Sequence, residues 1–445
     1  MSIFKAYDIR GKYPDEIDED LACRIGFEYA RMLGADELCV CQDVRTSSPA
    51  VAEAVIDGIC RAGTNVYDAG QGTTPMSNYA VGHYELDGAI MVTASHNPPE
   101  YTGMKLAREK AIPVSGDTGI QELAERCRRA NGSKPSESPT GSVEELDLIP
   151  VYREHLQSFC KNDPSGVSVA ADGATGAVAA VFDDVAGDIG VDWTTLCMEP
   201  DGTFPNHPPN PLKEENTRDL VEELNSGSYD LGVAFDGDGD RAIFMDDQAN
   251  RVSADLITAV LADQFLQESP GEAVVYDLRS SRVVPETIRE HDGTPIRERV
   301  GHAFIKATMR EEDAIFGGEL SGHYYFRDHY YADSGLVAAI TLIDCIARTG
   351  MSLSDLVEPF RTYRQSGEIN FEVDDKDGCI EHLSETFSDH EQYRLDGLTV
   401  ESEDWWFNVR KSNTEPLLRL NLEANNQKLL GKKVEQVRGI IKSYA

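Results

Sequence analysis

The chain has 445 residues, room for about three domains or four small ones, and a formal net charge of -37 from 78 Asp+Glu against 41 Lys+Arg. Such a polyanion repels nucleic acid and anionic membrane surfaces, and no apolar run approaches the ~18 residues of a membrane span, so neither partner is expected. The opening MSIFKAYDIRGKYPDE is charged within its first ten residues and has no signal-peptide apolar core, which makes a cytoplasmic location the expectation.

The acidic residues are spread along the whole chain, and only 14 of the 41 cations are lysine. That balance resembles proteins of organisms with molar intracellular salt, so a halophilic, haloarchaeal source is expected. At ~1 M salt the Debye length is ~3 Å, and the global field then hardly opposes an anionic substrate.

The first strand signal, LCVCQ, ends at Asp43 and gives way to small residues and then to Val51, Val55, Ile56 and Ile59 at helical spacing. Cys39 and Cys41 lack the CxxC pairing of a zinc site, and the nine cysteines read as reduced core thiols. Next, the apolar run GAIMV leads into TASHNPPEYTGMK, residues 93 to 105. Pro98 and Pro99 forbid a continuing ladder or helix, so Ser95 is held on a short, stiff loop at the end of a strand. Open α/β sheets bind their ligands there. The polar stretch NGSKPSESPTGS (131 to 142) lies near the end of this unit, and PVYREHLQSFC opens the next as a helix.

The strand–aspartate–small–helix pattern returns in VSVAADGATGAVAAVF, at Asp172, and in AVVYDLRSSRVVPETI, at Asp277. Repetition at domain spacing predicts three related α/β domains with mixed, mostly parallel sheets, at 1–148, 149–252 and 253–366. Beyond residue 366, FEVDD, YRLDGLTVE, WWFNVR and LLRLNLEA alternate as strands, and KLLGKKVEQVRGIIKSY closes as a helix. These predict a smaller α+β domain at 367–445.

Three further loops carry chemistry. In AFDGDGDRAIF, Asp236, Asp238 and Asp240 share one side of an extended segment, and Gly237 and Gly239 let the backbone curl so that the carboxylates converge. Three carboxylates together call for a hard cation, Mg2+ or Ca2+. An EF-hand is excluded, because Arg241 stands where its glycine belongs and Asp247 where its bidentate Glu belongs. FGGELSGHYYF presents Glu319, Ser321 and His323, groups suited to sugar hydroxyls, although polar turns of this sort are common. VRKSNTEPLLRL offers Arg410, Ser412, Asn413 and Thr414, an inventory that fits a phosphate anion or a plain polar hairpin turn. A Ser-His hydrolase is a poor reading of the first loop: Ser95 and His96 are adjacent and expected to point apart, and no GxSxG elbow is present. Together the four loops suggest phosphoryl transfer through a serine beside a metal.

The chain resembles the α-D-phosphohexomutases, within them the phosphomannomutase/phosphoglucomutase group, through AYDIRG (6 to 11), TASHNP (93 to 98), DGDGDR (236 to 241), GELSGH (318 to 323) and RKSNTEP (410 to 416). Five motifs in the family's order cover essentially the whole chain. The resemblance implies a four-domain architecture, three related α/β domains and a smaller fourth. It implies reversible interconversion of hexose 1-phosphate and hexose 6-phosphate through a phosphoserine and a bound 1,6-bisphosphate.

Ser95 would then be the phosphoserine, with Mg2+ between its phosphate and Asp236, Asp238 and Asp240. Arg10, Arg241 and His96 would lie near it, Tyr7 would flank the site, and Lys105 would be the general acid/base, its pKa lowered by burial and neighbouring cations. Glu319 and Ser321 would hold the sugar 3- and 4-hydroxyls, with His323, His302 and Arg279 close by. Arg410, Ser412, Asn413 and Thr414 would grip the phosphate not being transferred. Glucose 1,6-bisphosphate or mannose 1,6-bisphosphate would serve as activator, small hexose phosphates as the partners, and the protein would be a monomer or homodimer. Thr102 stands where many relatives have asparagine, and Asn413 favours the mannose/glucose group. The rival readings are a phosphoglucosamine mutase and a metal-dependent sugar-phosphate phosphatase.

Overall fold

Four sheets carry the chain, and the computed structural model describes residues 3–129, 138–412 and 417–444. In the first sheet the strands run in the order Ile9–Lys12, Tyr101–Arg108, Gly88–Val92, Glu37–Gln42, Asn65–Gln71, Val143–Glu145, with Ile112–Pro113 on Tyr101–Arg108. Glu37–Gln42 pairs in parallel with Asn65–Gln71 and Gly88–Val92, and Tyr101–Arg108 returns antiparallel. GAIMV is buried at every position, as a strand covered on both faces must be. The helix Ser48–Arg61 starts with Pro49 in its first turn and buries Val51, Val55 and Ile59, while Ile56 is half-buried at its edge.

The second sheet is Ala242–Asp246, Leu231–Phe235, Ser168–Asp172, Asp192–Leu196, and the third Thr294–Glu298, Ala273–Asp277, Phe316–Gly318, Tyr324–Phe326, Ala332–Asp333. Both have a parallel core with antiparallel strands added at one edge. The fourth is fully antiparallel, Arg364–Glu372, Leu417–Ala424, Trp405–Lys411, Leu398–Glu401, Glu391–Tyr393, and is backed by the closing helix Gln427–Lys442.

One aspartate ends a strand in each of the first three sheets and does the same work each time. Asp43, Asp172 and Asp277 accept from the backbone N–H two residues on, at 3.0, 2.8 and 2.7 Å, which turns the chain out of the strand toward its helix. The first three sheets also share one apolar core, joining residues such as Met76 and Tyr79, Val169 and Phe235, and Val274 and Phe316. The fourth has a core of its own around Trp405, Phe407 and Leu420. All nine cysteines are free thiols, seven of them buried. Among the described residues no single helix is long and apolar enough to cross a membrane.

Candidate active site

The carboxyl end of Gly88–Val92 delivers Ser95 to the centre of the molecule, 1 % exposed, with its backbone in the left-handed region at φ 51°. That conformation costs an L-residue ~1–2 kcal/mol and persists only where its surroundings enforce it. Arg45 supplies the enforcement: its guanidinium donates to the carbonyls of Ser95, Asn97 and Pro98, each at 2.7 Å, and of Tyr101 at 3.2 Å. Thr93 Oγ donates to Asp43 at 2.7 Å and accepts from the Ser95 N–H at 2.9 Å.

The twist at Ser95 corrects one expectation. Ser95 and His96 do not point apart; Ser95 Oγ lies 3.1 Å from His96 Nδ1 and donates to Asp236 Oδ2 at 3.2 Å. Burial first, then Arg241 and Arg10, hold the His96 pKa well below the usual range, so its ring is neutral. Arg10 reaches this loop through Asn97, donating to its side-chain oxygen at 2.6 Å while bonded to Asp8.

The three aspartates sit in a hairpin between Leu231–Phe235 and Ala242–Asp246, with Gly239 at φ 76° making the turn. Their carboxylates converge: one oxygen from each lies within 4.8 Å of the others, all buried. Burial and the two neighbouring carboxylates raise Asp236 well above the carboxylate range. Burial opposes the charge on Asp238 and Asp240, but Lys105, joined by Thr74 at Asp238 and by His323 and Arg241 at Asp240, holds both low. Lys105 Nζ lies 2.6 Å from Asp238 and also bonds Asp240. Here a second expectation fails. Burial disfavours the Lys105 charge, but Asp238, Asp240 and Asp236 together raise its pKa instead of lowering it. The donor set fits a hard divalent cation. It is three buried carboxylates beside a hydroxyl, and Asp238 Oδ1 and Asp240 Oδ1 are buried without a hydrogen-bond partner among the described residues.

The sugar-type loop meets the metal loop directly. Arg241 and His323 form a backbone bridge, and Arg241 Nε donates to His323 Nε2 at 2.8 Å. The imidazole proton is therefore on Nδ1, facing Asp333 at 3.7 Å and Glu319 at 3.8 Å. Glu319 accepts from Tyr325 OH at 2.9 Å and approaches Arg279 at 3.5 Å. Ser321 Oγ is buried with no partner among the described residues. The His302 ring lies 5.3 Å from that of Tyr7, tilted by 58°, and burial above all, aided by Lys306, pushes its pKa down to about 3.

Arg410 is buried on the strand Trp405–Lys411 and pairs with Glu368 at 2.8 Å; Arg419 and Arg279 reach the same carboxylate at 3.1 and 3.6 Å. Arg410 Nε has no hydrogen-bond partner among the described residues. Ser412 follows on this hairpin, its N–H on Leu417 O at 2.9 Å, whereas Asn413 and Thr414 lie outside the described residues.

Sequence reasoning missed several contributors. Thr74 donates to Asp238 at 2.6 Å from the first turn of the helix Thr74–His83, and Lys306 pairs with Asp333 at 2.7 Å behind His302. Arg45, Tyr325 and Glu368 complete the supporting set. Only Thr74 carried a local signal, the Thr-Thr-Pro of a helix start.

Four family models match the chain: phosphoglucomutase/phosphomannomutase alpha/beta/alpha domain I over residues 1–132, domain II over 150–249, domain III over 253–363, and the C-terminal domain over 368–440. A phosphomannomutase of Methanocaldococcus jannaschii is 37% identical over 444 residues, covering 99% of this chain and 98% of that one. Among solved structures, a phosphoglucomutase/phosphomannomutase family protein of Burkholderia thailandensis superposes with a TM-score of 0.90 at 31% identity, over 99% of this chain and 97% of that one. More distantly, the N-acetylphosphoglucosamine mutase of Aspergillus fumigatus, solved with GlcNAc-6P and magnesium, shares the fold at a TM-score of 0.59 and 14% identity, over 84% and 93%.

Proposed function

Because this chain belongs to the phosphoglucomutase/phosphomannomutase family, we propose that it interconverts hexose 1-phosphate and hexose 6-phosphate through a phosphoserine at Ser95. The observation that carries this reading is the buried contact of Ser95 Oγ with Asp236, inside a set of carboxylates of which two oxygens, Asp238 Oδ1 and Asp240 Oδ1, have no hydrogen-bond partner among the described residues. Asp236, Asp238 and Asp240 would hold Mg2+, which when bound neutralises charge on the phosphoryl oxygens.

The phosphoryl group passes from Ser95 Oγ to the free hydroxyl of a hexose phosphate: the serine O–P bond breaks as the sugar O–P bond forms. The sugar hydroxyl's proton leaves to a group at the site, and the resulting 1,6-bisphosphate turns over before its other phosphoryl group returns to Ser95. Lys105, held charged beside Asp238, would act as the acid that protonates Ser95 Oγ as it departs, and could take the sugar hydroxyl's proton only after giving up its own. Arg10, His96 and Arg241 would steady the serine phosphate, and Tyr7 and His302 would line its approach. Glu319, Ser321 and His323 would read the sugar hydroxyls, with Arg279 beside them. Arg410 and Ser412, followed by Asn413 and Thr414, would grip the distal phosphate. Glucose 1,6-bisphosphate or mannose 1,6-bisphosphate would charge the serine. The acidic surface, at a net charge of -37, suits a halophilic protein working in molar salt in a cytoplasm.

The test is phosphorus NMR of the protein in molar KCl with Mg2+ and trace glucose 1,6-bisphosphate, given mannose, glucose or glucosamine 1-phosphate separately. Conversion to a 6-phosphate is the expected result, and the relative rates rank the sugars. Free phosphate without isomer would overturn the reading in favour of a phosphatase.

A further inference from the structure

The strand-end aspartates differ in what balances their charge. In the first and third units the residue two positions on is an arginine that folds back onto its own aspartate: Arg45 Nε on Asp43 at 3.1 Å, Arg279 Nε on Asp277 at 3.0 Å. In the second unit that residue is Ala174, and the cation arrives from a distant loop. His207 Nε2 lies 3.1 Å from Asp172 Oδ2 and 3.3 Å from Oδ1, while its Nδ1 donates to Pro208 O at 3.0 Å. Burial opposes a charge on this ring, but Asp172, Cys197 and Pro208 outweigh it and push the His207 pKa up to about 10. The ring is an imidazolium with both N–H groups used.

The loop that carries His207, residues 197–211, touches both halves of the reacting centre. Toward the metal loop, Pro209 O accepts from Gly237 N at 3.2 Å. Gly237 is itself wedged against the serine loop, since a Cβ there would sit 2.4 Å from Ser95 O and 3.2 Å from Pro209. Toward the serine loop, the ring of Phe204 lies 5.0 Å beneath the Arg45 guanidinium that holds four carbonyls around Ser95. At its root the loop is tied by Thr175 N to Cys197 O at 2.7 Å, and Ala177 N donates to Gly237 O at 2.9 Å.

We propose that His207 is a positioning residue: clamped on Asp172, it fixes the 197–211 loop as a crossbar that sets the separation of Ser95 from the three aspartates. The proposal rests on the role given above to Ser95 and those aspartates. Displacing reacting groups by ~1 Å can cost ~10²-fold in rate, so a side chain that never meets the substrate can still govern turnover.

The test is His207→Ala in the full chain. We expect kcat to fall about 10- to 100-fold, calorimetric Mg2+ affinity to weaken about tenfold, and KM for hexose 1-phosphate to stay within about twofold. His207→Gln, whose amide can still donate to Asp172, should recover part of both losses. Native kcat and Mg2+ affinity in His207→Ala, or a lower melting temperature alone, would overturn the proposal. If that variant does not fold, Phe204→Leu removes the ring beneath Arg45 and should lower kcat about fivefold at constant KM; an unchanged kcat would count against the crossbar. Asp238→Asn is titrated with Mg2+ in parallel. Native affinity there would defeat the metal reading, and the crossbar would then be judged by intact mass on Ser95 phosphorylation from glucose 1,6-bisphosphate. A tenfold slower reaction in His207→Ala supports it, and a native rate defeats it.

Discussion

The two ends of the site carry opposite charge. Around Ser95, three buried carboxylates outnumber the cations that reach them, chiefly Lys105 and Arg241, and two of their oxygens have no hydrogen-bond partner among the described residues. At the other end Glu368 is met by two guanidinium groups, those of Arg410 and Arg419, and more loosely at 3.6 Å by Arg279, which is paired with its own Asp277. A surplus of carboxylate attracts a metal, and a surplus of guanidinium attracts an anion. On the function proposed above, the first end would make and break the bond and the second would hold on. On that reading, a bisphosphate that reverses itself within one turnover, between its two phosphoryl transfers, must present each phosphate to each end in turn.

Substitutions can break or sharpen this division. Ser95→Ala removes the group that would be phosphorylated and should lower kcat by about 10⁴-fold or more in a coupled mutase assay. A loss under tenfold would take Ser95 out of the chemistry. Asp238→Asn weakens the carboxylate surplus while keeping the acceptor for Thr74, and a fall of about 10²- to 10³-fold in kcat is expected. At the holding end, Arg410→Ala should raise KM for hexose 1-phosphate about 10- to 100-fold and move kcat less than about threefold, the worth of charge-assisted phosphate bonds. If kcat falls instead and KM stands, the two ends are not separable in this way.

The smallest effect concerns Glu423, at the joint of the third and fourth sheets, where it accepts from Trp406 at 2.8 Å and from Arg282 N at 3.1 Å. Burial above all holds its carboxyl up to about 6, against an ordinary value of 4.5. The folded chain therefore favours the protonated form. That contribution to stability is complete below pH 4.5 and is lost as pH rises through about 6, a difference of about 2 kcal/mol by pH 8. Glu423→Gln should raise the melting temperature by about 2 °C at pH 8 and leave it unchanged at pH 4. An equal gain at both would mean that the buried charge is not the cause.

What could be read from the sequence was what is local. The three strand-end aspartates, the serine after GAIMV and the Asp-Gly-Asp-Gly-Asp run each sit within one loop, where spacing alone brings groups together. The contacts that tune those loops join positions far apart in the chain. Thr74 meets Asp238, Arg45 reaches Ser95, and Glu368 gathers three arginines without any periodicity to announce them. The two reversals have the same origin. His96 approaches Ser95 because a left-handed backbone, enforced from Arg45, rotates the serine. Lys105 keeps its proton because carboxylates from another sheet outweigh its burial.

The separate core of the last sheet has a further consequence. The apolar side chains around Phe407 and Leu420 do not belong to the core that the first three sheets share, and the connection runs through one strand entrance near Arg364. The part of the protein proposed to grip the distal group thus packs on its own and meets the third sheet through polar contacts such as Arg282 N on Glu423 and Arg279 with Glu368. Cutting those polar bonds would move the grip relative to the serine while leaving both apolar cores closed.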